Sequence, residues 1–115
     1  MSEELIEDIA EGLKPFPESD RKELLDMINN QFKDMEDMKD KYERIIEDDN
    51  TSEEERSLYL GRTAKLIQPI MTFTFKIGFF DWNQPSDVIK KELVDAVDKI
   101  RSEINEINGV HEITI

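Results

Sequence analysis

Apolar residues recur at every third and fourth position through the first half of the chain, a spacing typical of amphipathic helices. A short helix is predicted from Ser2, and the run from Gly12 to Pro17 ends it. A long second helix is predicted over residues 20–47, with Ser19 as its N-cap. The apolar faces of these two helices are Leu5, Ile6, Ile9 and Leu13, and then Leu24, Leu25, Ile28, Phe32, Met35, Met38, Tyr42, Ile45 and Ile46, with Lys39 at one heptad position.

A helix-turn-helix hairpin is predicted around the acidic turn at residues 47–50. Thr51 with Glu54, or Ser52 with Glu55, has the spacing of a capping box for the returning helix. Pro69 is expected to end or kink that helix. Its apolar face is Leu60, Ala64, Ile67 and Met71, with Tyr59, Leu66 and Ile70 beside it.

Beyond Pro69 the apolar period changes from 3.6 to 2, which predicts a β-strand. The alternating apolar residues are Met71, Phe73, Phe75, Ile77 and Phe79. A loop at residues 81–85 follows, and Ser86 is predicted to cap a final helix that ends at Gly109. The stripe of this helix is Ile89, Leu93, Ala96 or Val97, Ile100, Ile104 and Ile107. Residues 110–115 are predicted to form a second strand.

These elements predict an α+β fold within one domain, residues 1–115. Residues 1–68 are expected to be mainly helical and acidic, with three helices, and residues 69–115 to form a right-handed β-α-β unit. Two strands alone make a marginal sheet with exposed edges. We therefore expect the sheet to be completed across a homodimer, or by accepting a strand from another protein.

Charge is unevenly distributed along the 115 residues. The chain carries 28 acidic and 15 basic residues, a net charge of −13, and all of that excess lies in residues 1–55. This acidity either solvates the outside of the hairpin or forms a surface that docks a basic protein partner. The candidate partner-binding residues are Asp34, Glu36, Asp37, Asp40, Glu43, Glu47, Asp48 and Asp49. Nucleic-acid mimicry is less favoured because Lys33, Lys39, Lys41 and Arg44 interleave with the acids.

Composition also excludes several classes of function. The chain has no Cys, so disulfides, thiolate catalysis and zinc ribbons are excluded, and a cytoplasmic location is expected. Residues 1–11 lack the pattern of a signal peptide, and the apolar stretch at residues 66–80 is too short and too polar for a membrane span. The net negative charge argues against anionic membranes and nucleic acids as partners.

Catalytic and metal-binding patterns are weak. His111 is the only histidine, and one histidine rarely suffices for a proton relay or a metal site. The acidic segment that begins at Asp48 lacks the central glycine of a calcium loop, and its twelfth position is Tyr59. The four glycines stand far apart, so no phosphate-binding loop is present. We therefore predict no catalytic residue, no metal and no cofactor.

The aromatic residues after Pro69 are the remaining candidates for a site. Phe73, Phe75, Phe79 and Trp82 could form core, mediate self-association, or line a ligand groove. The sequence thus predicts a non-enzymatic, cytoplasmic interaction or regulatory module with a basic partner. Two alternatives stay open: a small-ligand-binding or enzymatic domain with a pocket beside the aromatic strand, and a structural subunit of a larger, possibly viral, assembly.

Overall fold

In the computed structural model, which describes residues 3–109, the chain forms four α-helices. They are α1 (Glu3–Gly12), α2 (Glu18–Glu47), α3 (Glu53–Gly78) and α4 (Ser86–Ile107). The prediction of a short first helix, a long second helix, a hairpin and a final helix is confirmed. Gly109 follows α4 with a φ of 71°, the left-handed conformation expected where a helix ends.

The predicted α+β fold is wrong, because the segment from Met71 to Ile77 continues α3 and the described residues contain no strand. The predicted β-α-β unit and a sheet completed by dimerisation are therefore wrong as well. The second predicted strand, residues 110–115, and His111 within it lie outside the described residues.

The period-2 pattern has a helical explanation. Alternate residues on a helix fall about 200° apart, so a run of five alternating apolar residues separates into two sets with a spacing of four. Phe73 and Ile77 form the set that is buried, whereas Met71, Phe75 and Phe79 form the set that is exposed. A strand would have placed all five on one face.

Pro69 lies inside α3 and does not end it. A proline in a helix removes one backbone hydrogen bond and costs about 3 kcal/mol. Burial of Leu66 before it and Phe73 after it holds the helix on both sides. The hydroxyls of Thr63 and Thr74 donate to the carbonyls four residues earlier, each at 2.8 Å, and so need no partner outside the helix.

The turn between α2 and α3 has the predicted cap. Ser52 Oγ accepts from the Glu55 amide at 3.2 Å, as expected for the start of a helix. Arg56 crosses the turn, where its Nε donates to the Ile46 carbonyl at 2.9 Å and its Nη2 donates to the Asp48 carbonyl at 3.0 Å.

The predicted serine caps of α2 and α4 are wrong. Pro17 and Pro85 occupy the N-cap positions, and neither helix has a side-chain cap hydrogen bond there. The carbonyls of these prolines accept the first helical hydrogen bonds, from Arg21 and Ile89, each at 3.0 Å. Ser86 is already the first residue of α4.

Helix α3 packs against both α2 and α4, α2 also contacts α4, and α1 packs on α2. The centre of α2 meets α3 where the rings of Phe32 and Phe73 lie 5.1 Å apart. The predicted stripe of α4 is confirmed, with Ile89, Leu93, Val97, Ile100 and Ile104 all buried. The buried residues of α2 are Leu24, Ile28, Gln31, Phe32, Met35 and Tyr42. The molecule is elongated, with extents of 52 × 33 × 22 Å.

Candidate interaction surfaces

The eight predicted partner-binding carboxylates are all exposed, but they do not form one surface. Residues 36, 40, 43 and 47 follow a spacing of four, three and four, which places them along one side of α2. We call this set, Glu36, Asp40, Glu43 and Glu47, the acidic row. It spans about 16 Å at 1.5 Å per residue.

The other four predicted carboxylates lie elsewhere. Asp34 lines a groove that Arg101 of α4 also lines, and Asp37 lines a second groove together with Lys41 and Arg62. Basic side chains of the same molecule therefore share the surroundings of these two acids. Asp48 and Asp49 belong to the turn after α2, where Asp48 Oδ1 accepts from the Asn50 amide at 2.9 Å.

Helix α3 carries a continuous apolar surface that faces away from the core. Its members follow a spacing of three and four along the helix, and we call this set the α3 face: Leu60, Ala64, Ile67, Met71, Phe75 and Phe79. Between 50% and 57% of Leu60, Ile67, Met71 and Phe75 is exposed, and 83% of Phe79. Patches of this kind on soluble proteins commonly mark interaction sites.

The acidic row and the α3 face lie next to each other. Lys39 of α2 lines an apolar groove with Ile67, Ile70 and Met71 of α3. Glu36 and Glu43 are three and four residues from Lys39, so they flank it on the same side of α2. One side of the hairpin therefore presents carboxylates on α2 and apolar side chains on α3.

The four predicted aromatic residues are separated by the structure. Phe73 is buried in the core, whereas Phe75 and Phe79 lie on the α3 face with ring centroids 6.1 Å apart. Trp82 is half-buried after α3, 4.7 Å from the ring of Phe80 and in contact with Gly12 at the end of α1. They do not line a common pocket.

A groove of about 320 Å³ lies between α3 and α4, in the region where the alternative hypothesis expects a ligand pocket. Phe73 and Ile100 contribute apolar lining, and Lys76, Glu92 and Lys99 contribute charges of both signs. Glu92 also accepts a hydrogen bond from Gln84 Nε2 at 3.1 Å. The groove therefore combines apolar side chains with charged groups of both signs, among them Asp95 and Glu103.

Sequence reasoning missed the α3 face as a candidate site. Leu60, Ala64, Ile67 and Met71 are predicted to share a face, and they do, but that face is exposed rather than buried. The signal was present in the composition of α3, which has apolar residues on two opposite sides. A helix packed on one side against α2 and α4 buries only one of them.

Residues 3–109 contain neither a helix that could cross a membrane nor a cluster of metal ligands. None of the helices there has an apolar stretch of the length that a membrane crossing requires. In the same range, no group of three or more His, Cys, Asp or Glu side chains is placed to hold a metal ion. Comparison of the chain with protein-family models, curated proteins and solved structures gives no significant match.

Proposed function

We propose that the chain is a non-enzymatic protein-interaction module of the cytoplasm, which docks a basic partner through the acidic row on α2. The observation that carries this proposal is the placement of four exposed carboxylates along one side of a 30-residue helix. An amphipathic or extended segment with several Lys or Arg residues complements such a row. A cytoplasmic location agrees with the absence of Cys from the chain.

Electrostatics supports a role in recognition rather than in folding. Exposed ion pairs and carboxylates contribute little to stability, about 0–1 kcal/mol each. A concentration of one sign of charge instead accelerates the encounter with an oppositely charged partner and selects against others. Binding through such a row weakens as ionic strength rises, because the Debye length shortens to about 8 Å at physiological salt.

The test is a pull-down from a lysate of the source organism with a charge-reversed variant and a matched control. In the variant, Glu36→Lys, Asp40→Lys and Glu43→Lys change the net charge from −13 to −7. In the control, Glu4→Lys, Glu7→Lys and Asp8→Lys make the same change on the exposed side of α1.

We expect a basic protein to be captured by the native chain and by the α1 control, and to be lost from the α2 variant and at high salt. Equal capture by the α2 variant would show that the acidic row is not the docking site. Recovery of copies of this chain alone would contradict the proposal of a separate basic partner.

A further inference from the structure

The α3 face is large enough to need a partner of its own. It runs about 28 Å from Leu60 to Phe79. A large apolar side chain presents about 200 Å² when fully open, so the exposed fractions of its five large members amount to about 600 Å². A standard protein interface buries about 800 Å² on each partner. The whole face, with Ala64 and the stems of neighbouring side chains, therefore approaches what one stable interface needs.

Side chains of the α3 face are larger in its C-terminal part than in its N-terminal part. This difference suits packing against the α3 helix of a second copy that runs antiparallel. Ala64, the one small member, lies in its N-terminal part, and Phe75 and Phe79 occupy its C-terminal part. A two-fold axis between Pro69 and Ile70 would set Ala64 opposite Phe75 of the second copy. The same register sets Leu60 opposite Phe79, so each large ring meets a smaller side chain. A two-fold interface requires this kind of self-complementarity.

Two glycines of α3 lie beside open space in the described part of the chain. Gly61 and Gly78 are exposed, neither has a positive φ, and a Cβ at either position would have open space around it. Glycine inside a helix such as α3 costs about 0.5–1 kcal/mol relative to alanine. Gly78 lies on the side of α3 that carries the α3 face, and Gly61 lies at the edge of that face, about 100° around the helix. Both glycines therefore leave room beside the face for a second helix.

Charge also favours this surface for contact between two copies. Residues 56–80 contain four basic residues and no acidic residue, although the whole chain carries −13. Two copies that meet at α3 therefore bring no acidic side chain of α3 itself to the centre of contact, and the acidic row lies beside that centre.

From these observations we infer that the α3 face is the two-fold interface of a homodimer in which the two α3 helices run antiparallel. The inference does not rest on the acidic row. The two proposals also respond to salt in opposite directions. Docking of a basic partner weakens as salt concentration rises. Association of two chains of charge −13 through an apolar face strengthens, because salt screens the repulsion between the chains.

Disulfide trapping tests the register, because the chain has no Cys of its own. Ala64→Cys and Phe75→Cys are introduced singly and together, and the proteins are oxidised. Within one helix these positions lie about 16 Å apart, too far for a disulfide, whose Cα atoms lie within about 7 Å. We expect a covalent dimer from the double variant and none from either single variant. A covalent dimer from each single variant would show a parallel arrangement and overturn the antiparallel register.

Sedimentation equilibrium tests the interface itself with matched variants. Met71 is 50% exposed on the α3 face, and Leu58 is 51% exposed on the same helix but about 200° around from Leu60. We expect the native chain and Leu58→Glu to be dimers at about 100 µM. The dimer association constant of Met71→Glu should be at least tenfold lower. All three proteins should retain helical circular dichroism. A native chain that stays monomeric at that concentration, or equal weakening by Leu58→Glu, would overturn the inference.

Discussion

Tyr42 is buried at the contact of α2 with α3, where its ring meets that of Tyr59 edge-on at 5.2 Å. Its hydroxyl has no hydrogen-bond partner among the described residues. A buried polar group without a partner costs about 1–3 kcal/mol of desolvation. Burial raises the pKa of the Tyr42 hydroxyl above its usual value, an effect that Arg62 nearby opposes and Tyr59 reinforces.

Tyr42→Phe is therefore expected to raise the free energy of unfolding by about 1 kcal/mol. Because the pKa of Tyr42 is higher in the folded than in the unfolded chain, its contribution to stability is full below about pH 10 and is lost as pH rises beyond that value. Tyr42→Phe should therefore lose less stability than the native chain as pH rises above about 10. Urea unfolding at pH 7 and pH 11 measures both effects, and a loss of stability in Tyr42→Phe at pH 7 would show that the hydroxyl is satisfied.

Gly12 has a different role from the glycines of α3, because the indole of Trp82 lies against it. A methyl group at Gly12 would overlap this ring. Gly12→Ala is expected to lower the free energy of unfolding by about 1–3 kcal/mol. Gly61→Ala is the control, since its Cβ would enter open space and should stabilise the monomer by about 0.5–1 kcal/mol. Thermal unfolding at low protein concentration measures the stability of both variants. Equal changes in stability for Gly12→Ala and Gly61→Ala would contradict the contact between Trp82 and Gly12.

At the scale of elements, α3 has one buried and one exposed apolar side, and substitutions should distinguish them. Ile77→Ala opens a cavity in the core and is expected to cost about 2–5 kcal/mol. Met71→Ala removes an exposed side chain and should change the stability of the monomer by less than about 0.5 kcal/mol. Denaturant unfolding at low concentration measures both, and equal losses would indicate a shared buried face, as in the predicted strand.

Much of the architecture was predictable from the sequence, because α1, α2 and α4 have apolar residues on one side only. Their stripes specify a helix without ambiguity, and Ser52 with Glu55 locates the start of α3. The C-terminal half of α3 was not predictable in the same way. Alternation from Met71 to Phe79 fits a strand as well as a two-sided helix, and Pro69 before it favoured a break.

The candidate site was predictable only in part, for a related reason. Exposure of the carboxylates on α2 follows from their position opposite the apolar stripe. Asp34 is separated from the acidic row because it lies in a groove with Arg101 of α4. The packing position of α4 determines this separation, and no local sequence pattern specifies that position. The aromatic residues do not form one cluster, because residues two apart on a helix lie on opposite sides. Phe73 is buried in the core and Phe75 is exposed.

At the scale of the whole molecule, a net charge of −13 on an elongated bundle opposes compaction through self-repulsion. Reversal of three charges in the acidic row, Glu36→Lys, Asp40→Lys and Glu43→Lys, relieves this repulsion but sets new like charges beside Lys39, so it should change the free energy of unfolding by less than about 1 kcal/mol at low salt. The change should shrink at high salt. Urea titrations at two ionic strengths measure it. A loss of more than about 1 kcal/mol would mean that the row stabilises the fold and is not reserved for binding.

The central claim about this molecule is that α3 remains a helix through Gly78, since the α3 face and the buried stripe opposite it exist only in that case. Backbone NMR on isotope-labelled protein tests this most directly. We predict helical Cα shifts and strong sequential amide–amide NOEs throughout Glu53–Gly78, including the residues after Pro69. Strand-type Cα shifts from Met71 to Ile77, with cross-strand NOEs, would contradict the helical bundle and remove the α3 face as an interface.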